Sequence, residues 1–151
     1  MFIYETKVEE KWIDYNGHMN VAFYYHAFEH AMVEMWGFIG VDENYRATEG
    51  IAIETKEGHI QFINEAKLGD SLRIESQIFK ATRQSLLVGQ QMFCGENLLS
   101  RFGQWSVSSC SRSGQAKEFS KELFNNVMIM KVLDSELPDW LMRRVKINRG
   151  G

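Results

Sequence analysis

Two hydrophobic periods divide the sequence into a helical segment and a strand-rich segment. Residues 2–8 alternate between apolar and polar side chains over most of their length, which predicts a first strand. The polar stretch DYNGHMN follows, and apolar residues then recur at spacings of three and four from Val21 to Met35. This spacing predicts a helix that begins after Asn20, whose side chain is a favourable N-cap.

The predicted helix is apolar around most of its circumference. Phe23, Ala27, Ala31 and Val33 extend the apolar stripe well beyond one face. A short sheet cannot cover such a helix on nearly all sides. The pattern therefore predicts a central helix that a partner subunit helps to bury.

Residues 51–110 change to a strand-like period. Alternating segments are separated by the turn sequences KLGD, ATRQS and GEN, which predict consecutive antiparallel strands. The stretch GVDENYRATEG before them is predicted to be a loop, and a second helix is predicted after Ser120. The tail carries four basic residues, Arg143, Arg144, Lys146 and Arg149. The order strand, long helix and antiparallel strands indicates an α+β layer architecture.

Composition and charge narrow the class of protein. With 151 residues and 44% hydrophobic content, the chain has material for one core, so we expect a single domain over residues 1–151. A formal net charge of -3 offers no broad cationic surface, so no nucleic-acid partner is expected. No export signal or membrane span of roughly 18 apolar residues is visible. We therefore expect a cytoplasmic protein without a membrane partner, whose Cys94 and Cys110 are reduced.

Five short motifs follow one another along the chain. They are DYNGHMN at residues 14–20, Y-x-x-x-F-E-x-A at 24–31, EGHI at 57–60, KLGD at 67–70 and TRQS at 82–85. Together with the order of elements, these motifs resemble those of the hotdog-fold acyl-CoA thioesterases related to 4-hydroxybenzoyl-CoA thioesterase. Within that superfamily, the sequence is most similar to the branch that includes betainyl-CoA thioesterases.

The resemblance implies a hotdog fold, in which an antiparallel sheet of five to six strands wraps around a long central helix. It implies hydrolysis of an acyl-CoA thioester to a free acid and CoA by a homodimer or a dimer of dimers. The only cofactor-like group expected is the CoA of the substrate itself. Two alternatives stay open, namely an acyl-thioester hydratase or dehydratase of the same fold and a non-catalytic module that binds acyl-CoA or protein.

Asp14 is the main catalytic candidate. A carboxylate near a helix N-terminus is favoured by the helix dipole, and thioester hydrolysis needs a general base or a nucleophile. From the residues alone, a loop-capping role for Asp14 is favoured, and the family resemblance reverses this preference. The family has an aspartate three residues before a glycine, and Asp14 and Gly17 match that spacing, with Gly17 a predicted substrate contact. Backbone amides near Val21 are predicted to polarise the thioester carbonyl. His18 is a candidate to orient the loop or to hydrogen-bond the thioester.

Further candidates lie on the helix and on the strands. Asn20 is predicted to cap the helix and, with Tyr24, to contact the substrate. Glu57 and His59 are two residues apart on a strand and therefore share a face. With a partner subunit beside the helix, we predict that this face reaches the catalytic loop, where His59 positions water or substrate and Glu57 orients His59.

The resemblance also implies sites for the CoA phosphates. Arg83 and Ser85 match a family position that contacts phosphate, where a guanidinium group offers paired donors. Lys67 is a further phosphate candidate. His26 and His30 are four residues apart on the helix, but the carboxylate spacing of a zinc site is missing, so a polar face is predicted and no metal site.

Four aromatic residues near the start of the helix allow two interpretations. Ring faces attract quaternary ammonium groups, so Trp12, Tyr15, Tyr24 and Tyr25 are candidates for a cage around a betainyl cation. The alternative is that these rings simply pack in the core.

Overall fold

The computed structural model describes residues 1–133 and 137–141 of the chain. The strands in that part are β1 (Phe2–Lys7), β2 (Ile51–Phe62), β3 (Ser71–Ala81), β4 (Ser85–Cys94) and β5 (Asn97–Cys110). The α-helices there are α1 (Val21–Ile39), α2 (Glu43–Glu49) and α3 (Lys121–Met130). The basic residues of the predicted tail, Arg143, Arg144, Lys146 and Arg149, lie outside the described residues.

The described strands form one antiparallel sheet in the order β1-β3-β4-β5-β2. The predicted α+β hotdog architecture is confirmed, with five strands in the described part of the chain. The predicted turns also occur, because Thr82 N–H donates to Ser85 O at 2.8 Å and Asp70 N–H donates to Lys67 O at 3.0 Å. Both β1 and β2 are edge strands. Cys94 and Cys110 are free thiols.

Helix α1 is the predicted central helix. Its buried stripe includes Tyr24, Phe28, Met32 and Met35 and packs on the inner face of the sheet. Part of the remaining helix surface is apolar and exposed, since Tyr25, beside the buried stripe, is 45% exposed. Val21, Val33 and Phe38 are also exposed. The broad apolar surface predicted from the sequence is therefore covered from one side only by the described residues.

The predicted loop before β2 is wrong, because residues 43–49 form α2. Asp42 caps this helix by accepting a hydrogen bond from Tyr45 N–H at 2.8 Å, and Gly50 ends it in the left-handed conformation at φ 60°. Helix α2 contains no buried residue, so no apolar stripe marked it in the sequence.

Helix α3 begins after Ser120, as predicted. The Ser120 hydroxyl accepts a hydrogen bond from Leu123 N–H at 3.2 Å, and the side chains of Leu123 and Val127 are buried. Among the helices of the described residues, none is long and apolar enough to cross a membrane.

A bulge at Lys56 sets the two faces of edge strand β2. The register shifts between Thr55 and Glu57, so that Thr55 pairs with Ser106 while Glu57 pairs with Trp105. Paired residues of an antiparallel sheet project to the same side, and alternate residues project to opposite sides. Thr55 therefore points to the α1 side, whereas Glu57 points to the outer face.

The outer face of the sheet is partly covered by the C-terminal segment, residues 138–141. Leu141 is 2% exposed and packs with Phe79 and Leu87. Gly89 and Gly103 are paired across β4 and β5 and lie directly beneath it. A Cβ atom at Gly103 would lie 2.4 Å from the Leu141 carbonyl oxygen. The two glycines thus allow the chain to approach the sheet closely.

Candidate active site

The loop before α1 is a tight turn closed by Asp14. Asp14 N–H donates to His18 O at 2.9 Å, and Gly17 N–H donates to Asp14 O at 3.0 Å. Asp14 Oδ1 accepts hydrogen bonds from Asn16 N–H at 2.9 Å and from His18 N–H at 3.3 Å. Gly17 has a φ of 79°, a conformation that favours glycine. The sequence DYNGH therefore fixes one carboxylate oxygen in the loop, and no described donor contacts the other oxygen.

The N-terminus of α1 presents free donors beside this carboxylate. Asn20 N–H donates to Trp12 O at 2.8 Å, which ties the start of the helix to the preceding turn. Asn20 Oδ1 accepts a hydrogen bond from Ala22 N–H at 3.0 Å, so the predicted cap is confirmed. This bond leaves the Asn20 amide nitrogen available as a donor. Val21 is the first helical residue, so its N–H group has no partner one turn earlier in the helix.

The end of β2 returns to the loop and forms the second wall of the site. Met19 N–H donates to Ala66 O at 2.9 Å. The Tyr24 hydroxyl accepts a hydrogen bond from Ala66 N–H at 3.0 Å and lies 3.4 Å from Asn64 O. Burial raises the pKa of Tyr24 above its ordinary value, although the bond with Ala66 lowers it in part. A neutral hydroxyl is therefore favoured as the link between α1 and residues 64–66.

His18 forms an ion-pair contact with Glu65, a residue that the sequence did not single out. His18 Nε2 lies 3.0 Å from Glu65 Oε2, and the two side chains are 37% and 65% exposed. A carboxylate only accepts hydrogen bonds, so His18 Nε2 carries the proton in this contact. At this exposure, the contact contributes at most about 1 kcal/mol to stability. Its main effect is to orient the imidazole ring.

These groups line one open cavity of about 420 Å³. The loop and helix contribute Asp14, Asn16, residues 18–21 and Tyr24, and the end of β2 contributes residues 62–65. Five residues predicted from the sequence therefore come together here, namely Asp14, His18, Asn20, Val21 and Tyr24. Gly17 shapes the turn without being one of the lining residues. The cavity is within the size range of small-molecule sites, about 300–1,000 Å³.

Glu57 and His59 do share one face, but it is the outer face of the sheet. Glu57 pairs with Trp105 and His59 pairs with Gly103, the residue beneath Leu141. The bulge at Lys56 reverses the alternation that would have turned both side chains toward α1. No hydrogen bond joins them among the described residues, and His59 Nε2 is buried without a partner. Within one chain, neither residue reaches the Asp14 loop.

Arg83 and Ser85 are also outside this cavity. Arg83 Nε and one terminal nitrogen donate to Phe119 O at 3.1 and 2.7 Å, and the other terminal nitrogen lies 3.0 Å from Glu118 Oε2. The Arg83 guanidinium is thus occupied by internal partners. The Ser85 hydroxyl is 2.8 Å from that of Thr82.

The position of the turn at residues 82–85 also keeps Arg83 and Ser85 away from the cavity. This turn follows the C-terminal end of β3, whereas the Asp14 loop lies near the N-terminal end of β3, beside Asp70. Strand β3 is 11 residues long, so its two ends are about 35 Å apart. Lys67, in contrast, lies beside the cavity, since its backbone forms an isolated bridge with His18. Among the phosphate candidates in residues 1–133 and 137–141, Lys67 is the one that lies near Asp14.

Of the two interpretations of the aromatic residues, the cage is not formed within one chain. Trp12 is 4% exposed and stacks on Phe23 at 5.9 Å between ring centres, whereas Tyr15 is 97% exposed. The rings of Tyr24 and Tyr25 contact Phe62 and Phe102, respectively. These four side chains therefore do not surround a common space.

The second wall of the cavity was not predicted from the sequence. Phe62, Ile63, Asn64 and Glu65 line the cavity, yet they are more than forty residues from Asp14 in sequence. The one available signal was the polar pair Asn-Glu directly after a strand. The contact of Glu65 with His18 depends on how that strand returns to the loop.

The fold and cavity together define a hotdog protein with a carboxylate at the N-terminus of its central helix. A family model described as the thioesterase-like superfamily matches residues 8–143. The chain belongs to this superfamily. The match therefore covers most of the described structure, including the Asp14 loop, strands β2 to β5 and α3.

Individual relatives share parts of this sequence. A betainyl-CoA thioesterase from Pseudomonas aeruginosa is 33% identical over 90 residues, which are 60% of this chain and 57% of that protein. An L-carnitine dehydrogenase/betainyl-CoA thioesterase from Ruegeria pomeroyi is 35% identical over 88 residues, 58% of this chain and 18% of that protein. The chain thus matches little more than half of the length of the first relative.

Solved structures match the fold over more of the chain. A Staphylococcus aureus protein solved in complex with CoA has a TM-score of 0.88 at 18% identity, covering 97% of this chain and 94% of that one. A 1,4-dihydroxy-2-naphthoyl-CoA thioesterase from Synechocystis has a TM-score of 0.75 at 17% identity, covering 84% and 95%. At these identities, the similarity shows the fold.

Proposed function

We propose that this protein is an acyl-CoA thioesterase whose reaction takes place beside Asp14. The observation that carries the proposal is the cavity in which a carboxylate, a helix N-terminus and a histidine-carboxylate pair lie together. Family membership supports the thioesterase class, and the relatives named for betainyl-CoA make that thioester the first substrate to test.

Asp14 supplies the base or the nucleophile. Its Oδ1 atom is held by two backbone N–H groups, so Oδ2 remains for chemistry in a fixed orientation. As a base, Asp14 takes a proton from water while the water oxygen bonds to the thioester carbon. As a nucleophile, its oxygen forms an anhydride with the acyl group, which water then hydrolyses. In both routes the carbon–sulfur bond breaks, and the CoA sulfur leaves as a thiolate that takes up a proton.

The helix N-terminus stabilises the negative charge that develops on the carbonyl oxygen. Val21 N–H and the side-chain amide nitrogen of Asn20 are donors at this position, and the helix dipole favours an anion there. No lysine or arginine is needed for this role. The Asn20 cap therefore serves both the fold and the reaction.

His18 and Glu65 are proposed to position the thioester or the attacking water. When the ring is neutral, Glu65 holds the proton on His18 Nε2, which leaves a lone pair on Nδ1. That nitrogen can accept a hydrogen bond from water. Lys67, beside the same loop, is proposed as a partner for a CoA phosphate.

A second copy of the chain is proposed to pack along β2. This 12-residue edge strand is hydrogen-bonded on one side only among the described strands, and long exposed edges are normally covered in proteins. Val21, Phe62 and Ile63 are 60, 49 and 43% exposed next to the cavity. A partner there buries this apolar surface and closes the open side of the site.

The test is hydrolysis of betainyl-CoA and of short, aromatic and long-chain acyl-CoAs by wild type and Asp14→Asn. Asparagine keeps the Oδ1 acceptor for the loop but loses the base, so we expect kcat to fall by about 10²–10⁴. Asp42→Asn is the matched control, because Asp42 also caps backbone amides but lies outside the cavity. Asn is an equally good cap, so we expect unchanged kcat in this variant.

A single turnover in ¹⁸O water distinguishes the two roles of Asp14. Label in the Asp14 carboxylate requires an anhydride that water attacks at the Asp14 carbonyl, whereas label in the product acid alone, with no Asp14 hydroxamate formed on quenching with hydroxylamine, indicates direct attack by water. Equal kcat in wild type and Asp14→Asn removes Asp14 from the mechanism. CoA binding without turnover of any thioester in the panel rejects the enzymatic proposal.

A further inference from the structure

His26 and His30 form a close pair on α1, outside the cavity. They are one helical turn apart, and their ring centres lie 4.3 Å from each other with an interplanar angle of 47°. Both side chains are exposed. Side chains four residues apart lie on the same face of a helix, so the pair is a direct consequence of helix formation.

The separation of the two rings suits binding to one metal ion. Imidazole nitrogens bind transition metals at about 2.0–2.1 Å. When the nitrogen–metal–nitrogen angle is a right angle, the centres of the two rings are roughly 4.5 Å apart. The observed 4.3 Å is close to this value. Helix α1 therefore holds the two rings at a separation that one bound ion can bridge.

The surroundings hold one ring in place and leave both rings accessible. His26 packs edge-on against Trp12 and Phe23, with ring centres 5.8 Å away in each case. Neither histidine has an ion-pair partner among the described residues, so no carboxylate or amine competes for the ring nitrogens. The pair is on the Trp12 side of α1, whereas Tyr25 contacts Phe102 on the inner face of the sheet.

We propose that His26 and His30, for which the sequence alone predicts a polar face and no metal site, bind one divalent transition-metal ion, with water completing its coordination. Imidazole suits Cu²⁺, Ni²⁺ and Zn²⁺, whereas Mg²⁺ and Ca²⁺ require oxygen ligands. No group of three or more potential metal ligands occurs in residues 1–133 and 137–141, so this is a two-ligand site. The affinity is expected to rise from Mn²⁺ through Co²⁺ and Ni²⁺ to Cu²⁺, and then to fall for Zn²⁺.

Metal binding at this pair is expected to stabilise the first half of α1. The two ligands adjoin only when the helix is formed, so the metal binds the folded chain in preference to the unfolded chain. His26 also contacts Trp12, whose carbonyl oxygen accepts the Asn20 N–H. The bound ion therefore links the helix turn of His30 to the segment that starts α1.

The experiment is calorimetric titration of the purified protein with CuCl₂, NiCl₂, ZnCl₂ and MgCl₂, together with electron paramagnetic resonance of the Cu²⁺ complex. We expect one ion per chain, two nitrogen ligands in the spectrum and no Mg²⁺ binding. His30→Ala is expected to lower the affinity by at least about tenfold, since even loss of a residue that only orients a metal ligand has that effect.

Two controls exclude other sources of binding. His59→Gln removes a histidine far from the pair, and Cys110→Ser removes an accessible thiol, so both variants should retain wild-type affinity. Equal affinity in wild type and His30→Ala overturns the proposal. Loss of binding in the His59 or Cys110 variant, with His30→Ala unaffected, overturns it as well.

Discussion

Removal of the Tyr24 hydroxyl is the most direct test of how the site is held together. This hydroxyl accepts the Ala66 N–H at 3.0 Å and lies 3.4 Å from Asn64 O, while the Tyr24 side chain is 3% exposed. It thereby connects α1 to the segment that carries Glu65. Tyr24→Phe removes this connection and leaves the shape of the ring unchanged.

The expected cost follows from the amide that loses its partner. Ala66 is fully buried, at 0% exposure, so water cannot replace the hydroxyl without a rearrangement. A buried donor left unsatisfied costs about 1–3 kcal/mol. For a domain of this size, each kcal/mol shifts Tm by about 2–4 °C, so we expect Tm to fall by about 2–12 °C.

Tyr25→Phe provides the matched control for Tyr24→Phe. Its hydroxyl has no hydrogen-bond partner among the described residues, and its side chain is 45% exposed. We expect the free energy of unfolding of Tyr25→Phe to differ from that of wild type by less than about 0.5 kcal/mol. Urea unfolding gives both free energies, and amide exchange reports on Ala66 directly. Equal stabilities of the two variants, or unchanged exchange at Ala66 in Tyr24→Phe, would refute the reasoning.

The same variant has a characteristic pH dependence. Burial raises the Tyr24 pKa above its ordinary value of 10.0 in the folded state, so folding favours the neutral hydroxyl. A raised pKa gives stability that is present below the unfolded-state pKa, about 10, and is lost as pH rises through the folded-state value. The stability difference between wild type and Tyr24→Phe should therefore narrow above about pH 10.

Other predictions concern the outer face and the thiols. In Gly103→Ala, the new Cβ meets the Leu141 carbonyl oxygen at 2.4 Å, so residues 138–141 should leave the sheet at a cost of about 1.5–3 kcal/mol, measured by unfolding and by faster C-terminal proteolysis. Gly37 lies in α1, and a Cβ atom added there has no neighbouring atom within 4 Å, so Gly37→Ala should raise the free energy of unfolding by about 1 kcal/mol. A lower free energy of unfolding in this variant contradicts the helix assignment. The Ser113 hydroxyl, as the largest cause, lowers the pKa of Cys110 to about 7, so iodoacetamide labelling should rise with a midpoint near that pH. Ser113→Ala should raise the midpoint, and an unchanged midpoint contradicts the assigned cause.

Local features of the fold were predictable because they depend on neighbours in sequence. The Asn20 cap, the apolar stripe of α1 and the Ser120 cap of α3 are interactions over one or two helical turns. The Asp14 turn is similarly local, since its hydrogen bonds reach only to His18. Helix α2 was missed because it has caps but no buried stripe.

The candidate site was only half predictable. Its first wall, from Asp14 to Tyr24, lies within one stretch of the sequence and was found there. Its second wall is residues 62–65, which reach the loop because Met19 N–H and Tyr24 bind the backbone of Ala66. No spacing in the sequence records such a contact.

The sequence by itself determined where the central helix begins and that a carboxylate precedes its N-terminus, because capping and turn formation involve adjacent residues. Only the tertiary structure decided which side chains join that carboxylate. One extra residue at Lys56 turns Glu57 and His59 to the outer face, since alternation along a strand reverses at a bulge. The end of the same strand places Glu65 3.0 Å from His18, since its backbone pairs with the loop.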